Sequence, residues 1–368
     1  MNRRRAITRL SACGGAAISL LASAAAAHAS DPELGLRPGD VTSTHAQASA
    51  EAGADGVHIG LSWKETEPRQ DEFDWSHTDD AVLEFTTAGV PIESFRVTEA
   101  PNWAVSGGRC AVKMCPPTFG HYDDFREFVT EAVRRYGPAT LANVERFVLW
   151  NEPDSASKWG GRSYLQDSHK EYSRLLARFY EGAVEANPLV AIDAGEVATG
   201  NGKGFGWTRA FTEYNTRHDR NGNYDSLNIH AYSRYPGQIV DKIKAYGRMP
   251  GVERIGVSEF GWAVGQPNSA APGSGDYKCT SSSGQASKLR RTVQSVRAQT
   301  HNVGHLVWQN GVDEQRDKTI KCIDGTGHYR AKVRDNMNAY GLYKRAPDGS
   351  LEPLDARPAR NTFRALAD

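Results

Sequence analysis

The most informative stretch of the sequence for the fold is Phe147-Val148-Leu149-Trp150-Asn151-Glu152-Pro153-Asp154. Its first four residues are apolar and favour a β-strand, and the proline after Glu152 cannot donate a hydrogen bond to a strand ladder. The stretch therefore predicts a short buried strand that carries Asn151 and Glu152 at its carboxyl end.

A second stretch has the same design. Ile255-Gly256-Val257-Ser258-Glu259-Phe260-Gly261-Trp262 is a β-prone run with a glutamate at its end. Carboxylates at the carboxyl ends of parallel strands lie where a (β/α)8 barrel keeps its chemistry. We predict an α/β protein with a single (β/α)8 TIM barrel. The alternative, a doubly wound open sheet, would usually bring a glycine-rich nucleotide turn after its first strand, and the sequence shows none.

Strand and helix patterns alternate along the chain, which is typical of a parallel α/β architecture. Strands are predicted at 57–63, 90–97, 144–150, 190–197, 226–232, 254–262 and 303–309, after a weak first strand within 30–44. Helices are predicted at 44–54, 79–87, 121–136, 169–186, 206–216, 239–246, 285–300 and 359–367.

The amino terminus has the pattern of an export signal. Three arginines at 3–5 precede a small, apolar stretch and the A-x-A site Ala27-His28-Ala29. We predict a signal peptide at 1–29, a lead-in at 30–44 and a catalytic domain at 45–368, and hence a secreted or periplasmic protein. The tandem arginines leave the twin-arginine and the general secretory routes both open. No stretch is predicted to span a membrane.

The charge pattern excludes some partners. Without the four arginines of 1–29, acidic residues outnumber basic ones by four, and no basic run suggests nucleic acid. An oligo- or polysaccharide fits better. The sequence does not determine the oligomeric state; a monomer is expected.

Four cysteines remain after the signal peptide, and they allow three pairings. We favour Cys110–Cys115 and Cys279–Cys322, with free buried thiols as the alternative in an exported protein. No metal site is predicted, because Cys110 and Cys115 have no histidine at metal-binding spacing. No cofactor is expected.

Two glutamates at the carboxyl ends of strands 4 and 7 fit the hydrolysis of a glycosidic bond, which needs one acid and one carboxylate. Asn151 can hydrogen-bond a sugar hydroxyl, and His230 and Tyr232, at the end of the sixth strand, can reach Glu259. Flat aromatic faces for sugar rings are predicted at four strand ends: Trp63, Trp103, Trp262 and Trp308.

The two glutamate motifs resemble the strand 4 and strand 7 signatures of glycoside hydrolase clan A, whose members are retaining enzymes on (β/α)8 barrels. The chain is most similar to family 39 and its cellulase-like relatives. Supporting segments, from about Gly56 to the carboxyl terminus, are Trp63-Lys64-Glu65-Thr66-Glu67-Pro68, Phe73-Asp74-Trp75, Ala100-Pro101-Asn102-Trp103-Ala104, Ile229-His230-Ala231-Tyr232 and Tyr340-Gly341-Leu342-Tyr343.

The resemblance implies roles for several residues. Glu152 would be the general acid/base and Glu259 the nucleophile. Asn151 would orient the 2-hydroxyl, Tyr232 would hydrogen-bond the nucleophile, and His230 would line the subsite where the bond breaks.

One position departs from the clan pattern. Many members have arginine five residues before the strand 2 tryptophan, where this chain has His58. We expect His58 and Arg96 jointly to stabilise Glu259, with an acid-shifted optimum if His58 must be protonated. A packed core histidine is the alternative.

The sequence thus predicts an exported, retaining β-glycoside hydrolase acting on a cell-wall, extracellular or plant-type saccharide. A non-hydrolytic carbohydrate-binding barrel and a transglycosylase remain as alternatives. Sugar, linkage and endo or exo action are left open.

Overall fold

The computed structural model describes residues 31–161, 167–199, 202–267, 279–300, 302–316, 322–323, 336–338, 340–344 and 354–368. The predicted signal peptide at 1–29 lies outside these residues, and so do parts of the two long loops near the end of the chain.

Eight parallel strands close into a barrel, which confirms the predicted fold class. The first strand pairs with both the second and the last, and this pairing closes the ring. We number the strands β1 Glu33–Leu36, β2 Val57–Ser62, β3 Ile92–Thr98, β4 Arg146–Leu149, β5 Ala191–Ala198, β6 Ser226–His230, β7 Ile255–Phe260 and β8 Val303–Trp308. Strand β1 is the weak first strand predicted within 30–44.

Helices surround the barrel, and all eight predicted helices are present with ends shifted by a few residues. They are α1 Ser43–Ala52, α2 Trp63–Thr66, α3 Ser76–Thr87, α4 Tyr122–Tyr136, α5 Ser168–Ala186, α6 Gly202–Arg217, α7 Pro236–Gly247, α8 Ser282–Gln299 and α9 Pro358–Ala367. The short helix α2 was not predicted. It begins directly after β2, where the Ser62 hydroxyl accepts a hydrogen bond from the Glu65 amide.

The strands are buried on both faces because helices cover the outside and side chains fill the inside. Every residue of β6 and β8 is buried. Since all eight strands run the same way, their carboxyl ends form one rim, and the residues that follow them face each other there.

A buried ion pair ties the end of the chain to the barrel. Arg357 and Asp313 form two contacts of 2.6 Å, and the Asp313 carboxylate also accepts the Gly341 amide at 2.9 Å. The segment Tyr340-Gly341-Leu342-Tyr343 leads into a short antiparallel pair between Tyr343–Lys344 and Asp355–Ala356. These contacts give a structural reason for the Tyr340-Gly341-Leu342-Tyr343 motif, which the sequence analysis explained only by resemblance to a family.

The disulfide Cys110–Cys115 is present as predicted. Cys279 is also disulfide-bonded. The side chain of Cys322 lies outside the described part of the chain, so its pairing with Cys279 stays a prediction. Within the described residues, no helix is long and apolar enough to cross a membrane.

Candidate active site

The two predicted catalytic glutamates meet at the rim of the barrel. Glu152 follows β4, and Glu259 is the fifth residue of β7. Trp150 and Glu152 have left-handed backbone φ values of 70° and 50°, and so does Glu196 at 69°. Such conformations are rare for residues with a side chain and cluster at functional sites.

The Glu259 carboxylate is anchored on several sides. Arg37 Nη1 lies 2.9 Å from Oε1, and the Tyr232 hydroxyl donates to Oε2 at 3.1 Å. Arg96 Nη1 is 4.0 Å away. These contacts fix the carboxylate at the mouth of the barrel, where 14% of the side chain stays exposed.

His230 stands between the two glutamates. Its Nδ1 lies 3.1 Å from Glu152 Oε1 and 3.4 Å from Glu259 Oε2, and its Nε2 is 3.8 Å from Glu196. Burial alone would lower the pKa of His230, but the carboxylates of Glu259, Glu152 and Glu196 outweigh it and raise the pKa to about 9. At neutral pH the ring is therefore an imidazolium that bridges both glutamates.

The Glu152 carboxyl is ionised in the free protein. Burial raises its pKa, but the hydrogen bond from His230 and the positive charges of His230 and Lys158 prevail and lower the pKa to about 2. Its side chain is 27% exposed. For Glu152 to act as an acid, binding of a substrate therefore has to raise the pKa of its carboxyl or bring a proton to it.

A third carboxylate, which the sequence analysis did not assign, organises the centre. Glu196, near the end of β5, is buried and contacts Arg37 at 2.7 and 2.9 Å and Arg96 at 3.1 Å. Burial raises its pKa, but Arg37 and Arg96 outweigh burial and hold it well below the usual range. In the sequence, the feature that could have indicated a role for Glu196 in the site was its position near the end of a predicted strand.

Arg37 was missed as well. It comes directly after β1, and its Nε donates to the Ser258 backbone oxygen at 3.2 Å across 221 residues of sequence. The guanidinium thus joins the beginning of the barrel to β7. An arginine just beyond the weak first strand was the only sequence signal.

Asn151 lies where the prediction placed it, beside Glu152 and buried. With the carboxamide nitrogen toward Glu196 Oε2 (3.2 Å) and the oxygen toward Lys158 Nζ (3.0 Å), both ends are hydrogen-bonded. Lys158 is a further residue of the site that the sequence analysis did not name.

His58 does not contact Glu259, contrary to our expectation. It is the second residue of β2, near the opposite end of the barrel, and its ring hydrogen-bonds Glu93 at 2.8 Å and Ser94 at 2.5 Å. The alternative of a packed core histidine is confirmed. Arg37 takes the anchoring position, and Arg96 is the more distant partner, as its 4.0 Å contact shows.

Three of the four predicted aromatic platforms are wrong. Trp63, Trp262 and Trp308 are fully buried and present no face to a sugar. Each indole nitrogen donates within the protein: Trp63 to Glu67 at 2.6 Å, Trp262 to the Ser233 oxygen at 2.7 Å and Trp308 to the Tyr340 oxygen at 3.1 Å. They are core residues, whereas Trp103 is half-buried and remains a candidate platform.

No cluster of three or more histidine, cysteine or acidic side chains suited to a metal ion occurs among the residues that the structure describes.

A (β/α)8 barrel with paired glutamates at its strand ends defines the glycosidase class of this fold. The family model described as the glycosyl hydrolase catalytic core matches residues 95–321. The chain belongs to this glycosyl hydrolase family. No curated protein matches it.

Solved structures share the fold. A family 39 glycoside hydrolase from the gut symbiont Bacteroides cellulosilyticus WH2 has a TM-score of 0.58 at 16% identity, covering 92% of this chain and 64% of that one. A family 39 beta-xylosidase from Caulobacter crescentus has 0.58 at 14%, covering 92% and 71%. A psychrophilic family 10 endo-beta-1,4-xylanase has 0.57 at 14%, covering 90% and 96%. The family model thus confirms the predicted glycoside hydrolase, and these solved structures share its barrel fold.

Proposed function

We propose that the protein is an exported, retaining β-glycosidase, with Glu259 as nucleophile and Glu152 as acid and then base. The observation that carries the proposal is the shared nitrogen, His230 Nδ1, at 3.1 Å from Glu152 and 3.4 Å from Glu259. The distance between these two carboxylate oxygens therefore cannot exceed the sum of their distances to His230 Nδ1. The carboxyl groups of inverting enzymes are roughly 6.5–9.5 Å apart, and the largest distance possible here only equals the lower end of that range. The roughly 5–5.5 Å separation of retaining enzymes lies within the distances possible here.

In the first step, Glu259 attacks the anomeric carbon while Glu152 gives a proton to the leaving oxygen. The glycosidic C–O bond breaks, and a glycosyl ester forms on Glu259. Arg37 and Tyr232 hold the attacking carboxylate in place, and their contacts limit its motion before the attack.

Glu152 needs its proton at that moment. A sugar seated at the rim excludes water from its exposed part, and loss of water favours the neutral acid. The His230 imidazolium, hydrogen-bonded at 3.1 Å, is the proton donor within reach.

In the second step, the ionised Glu152 takes a proton from a water molecule, which attacks the anomeric carbon. The bond to Glu259 breaks, and the sugar leaves with its original anomeric configuration. Glu152 ends this step protonated and passes that proton back to the His230 ring 3.1 Å away, so that both carboxyl groups and the imidazolium return to their starting states.

The choice of substrate class rests on the solved structures that share the fold. The beta-xylosidase and the endo-beta-1,4-xylanase with the same fold act, by their names, on β-linked sugars. The signal pattern at 1–29 and the disulfide Cys110–Cys115 agree with export. We include in the proposal a β-linked oligo- or polysaccharide outside the cell.

The observation that supported the alternative of a non-hydrolytic carbohydrate-binding barrel no longer does so. It depended on His58 at the position where clan members have arginine. Arg37 supplies a guanidinium to Glu259 instead. A transglycosylase would use the same residues, and no contact in the site favours it.

The test is activity of the mature protein on aryl β-glycosides and β-linked polysaccharides, with early products followed by proton NMR. We expect the β-anomer to form first. Glu259→Ala should lose turnover by about 10⁴-fold or more, as nucleophile removal does in other enzymes. The exposed Glu65→Gln, near the end of β2, is the matched control and should keep wild-type rates.

Initial release of the α-anomer would reject the retaining mechanism. Turnover that survives in Glu259→Ala would reject the nucleophile. No turnover by the wild type on any member of the panel would reject the hydrolase function.

A further inference from the structure

Two lysines lie on two joined loops at the rim of the barrel, and one of them, Lys158, acts on the proposed catalytic acid Glu152. Lys158 ends the short helical turn Ala156–Lys158 after β4, and Lys113 lies within the Cys110–Cys115 loop after β3. The Met114 amide donates to the Ser157 oxygen at 3.1 Å, and the Gly160 amide donates to the Met114 oxygen at 3.0 Å. The disulfide and these hydrogen bonds hold the two loops side by side.

Lys158 is fixed in position. The Trp150 indole donates to its backbone oxygen at 2.7 Å, and its Nζ lies 3.0 Å from the Asn151 carboxamide oxygen. Burial, followed by repulsion from Lys113, lowers the pKa of Lys158 to about 8. The two positive charges are therefore close enough to disfavour each other.

The other cations of the rim have acidic partners. Arg37 contacts Glu196 and Glu259, and Arg96 contacts Glu196. Among the residues that the structure describes, neither Lys113 nor Lys158 forms an ion pair within 4.0 Å, whereas each of those arginines does. The carboxylates of Glu152 and Glu259 attract Lys158 without restoring its usual pKa. With the two lysines, the cations named at the rim outnumber its three carboxylates, Glu152, Glu196 and Glu259.

Like charges held together in a partly buried place destabilise the free protein unless an opposite charge joins them. A neutral sugar gives nothing to either ammonium group beyond ordinary hydrogen bonds. A carboxylate or a sulfate ester on a sugar would satisfy both.

We propose that Lys113 and Lys158 form a subsite for an acidic sugar, carrying a carboxylate or a sulfate, next to the bond that is cleaved. This inference rests on the proposed function of the same site. It narrows the substrate from β-linked saccharides in general to those with a negative charge near the scissile bond.

The acidic group would also help the chemistry. Burial raises the pKa of Glu152, while His230 and then Lys158 lower it. An anion beside Lys158 cancels that lysine's share of the lowering. An acidic substrate therefore moves Glu152 further toward the protonated form that the first step requires than a neutral substrate, which acts by excluding water alone.

The experiment compares kcat/KM on matched oligosaccharides that are neutral, substituted with a uronic acid, or sulfated. We expect the wild type to prefer one acidic series, and the preferred series identifies the anion.

Lys113→Gln should reduce the acidic-to-neutral ratio of kcat/KM by roughly 2–5-fold, because Lys113 is exposed. Lys158→Gln should reduce it by roughly 10-fold or more, because this lysine is half-buried. Lys244→Gln, on α7 with its Nζ bonded to Gln299, is the control and should keep the ratio.

A second measurement does not depend on turnover. Calorimetry with Glu259→Ala should show tighter binding of the acidic than of the neutral oligosaccharide, and the difference should shrink as salt rises. A preference for neutral sugars, or an equal ratio in wild type and Lys113→Gln, would overturn the subsite. Equal calorimetric affinity for the acidic and the neutral sugar would also overturn it, whereas absence of turnover with selective binding would overturn the hydrolase alone.

Discussion

The two ends of the barrel contain similar ionisable residues but use them differently. The rim cluster consists of Glu152, Glu196, Glu259, Arg37, Arg96 and His230. The floor cluster, near the amino ends of the strands, consists of Glu93, Asp193, His58, His305 and Arg146. Both contain acids, arginine and histidine in a buried setting. The difference between them shows what makes such a set of residues a candidate active site.

In the rim cluster, charges are shared and partly open. His230 reaches three carboxylates, and Glu152 and Glu259 keep 27% and 14% of their side chains exposed. Several partners hold each group, and solvent still reaches the two that would react.

In the floor cluster, Glu93 and Asp193 each have one ion-pair partner within 4.0 Å among the described residues, His58 and Arg146 respectively. Arg146 holds Asp193 at 2.9 Å, and both Asp193 and His305 are fully buried. Both nitrogens of His305 lack a hydrogen-bond partner within the described part of the chain, and burial holds its pKa well below the usual range. The floor cluster stabilises the barrel, and residue type alone does not separate it from the rim cluster.

Removing one arginine from each cluster should give the largest contrast. Arg146→Met leaves the buried Asp193 carboxylate without its partner, which costs about 3–5 kcal/mol of stability. Arg37→Met removes one of the two arginines of Glu196 and should cost no more than that. Only Arg37→Met should also lower kcat of the folded protein, by roughly 10²–10³-fold, because Glu259 loses its anchor. Denaturant unfolding and kcat per folded molecule measure the two effects. Equal losses of kcat in both variants would erase the distinction.

The His230 charge should appear as a pH dependence of stability. Its pKa is raised from 6.5 to about 9 on folding, so the folded protein holds this proton more tightly. The stabilisation is complete below about pH 6.5 and is lost as pH rises to about 9, with up to about 3 kcal/mol at stake. Urea unfolding across this window should show a steeper decline in wild type than in His230→Gln. Parallel curves would contradict a bridging imidazolium.

His58→Gln should have the smallest effect on activity. It removes a contact to Glu93, with a stability loss of about 1–3 kcal/mol, and leaves the rim cluster untouched. We expect the pH–rate profile to keep its midpoints. A shifted acidic limb would restore the idea that His58 acts on Glu259.

The sequence was sufficient for the fold and for the positions of the two glutamates. Each glutamate ends or follows an apolar run, and the strand pattern fixes the end to which it belongs. The same rule explains the error at His58. At about 3.3 Å per residue, its place four residues before Ser62 puts it roughly 13 Å from the rim.

Arg37 and Glu196 could not be assigned in the same way. Arg37 reaches Ser258 only because β1 closes the ring next to β8, and that closure is a property of the whole barrel. Glu196 gains its importance from two arginines that come from other strands. The buried tryptophans were misjudged because a position at a strand end does not tell whether a loop covers it.

The left-handed backbone at Trp150, Glu152 and Glu196 has a consequence for engineering. Glycine would adopt these angles without steric cost, so a library screened only for heat tolerance would favour glycine at the partly exposed Glu152, whereas burial of the Trp150 side chain outweighs that gain. Such a screen would select against the Glu152 carboxyl. Directed evolution of this protein for robustness should therefore keep the Glu152 codon fixed and look for its gains elsewhere.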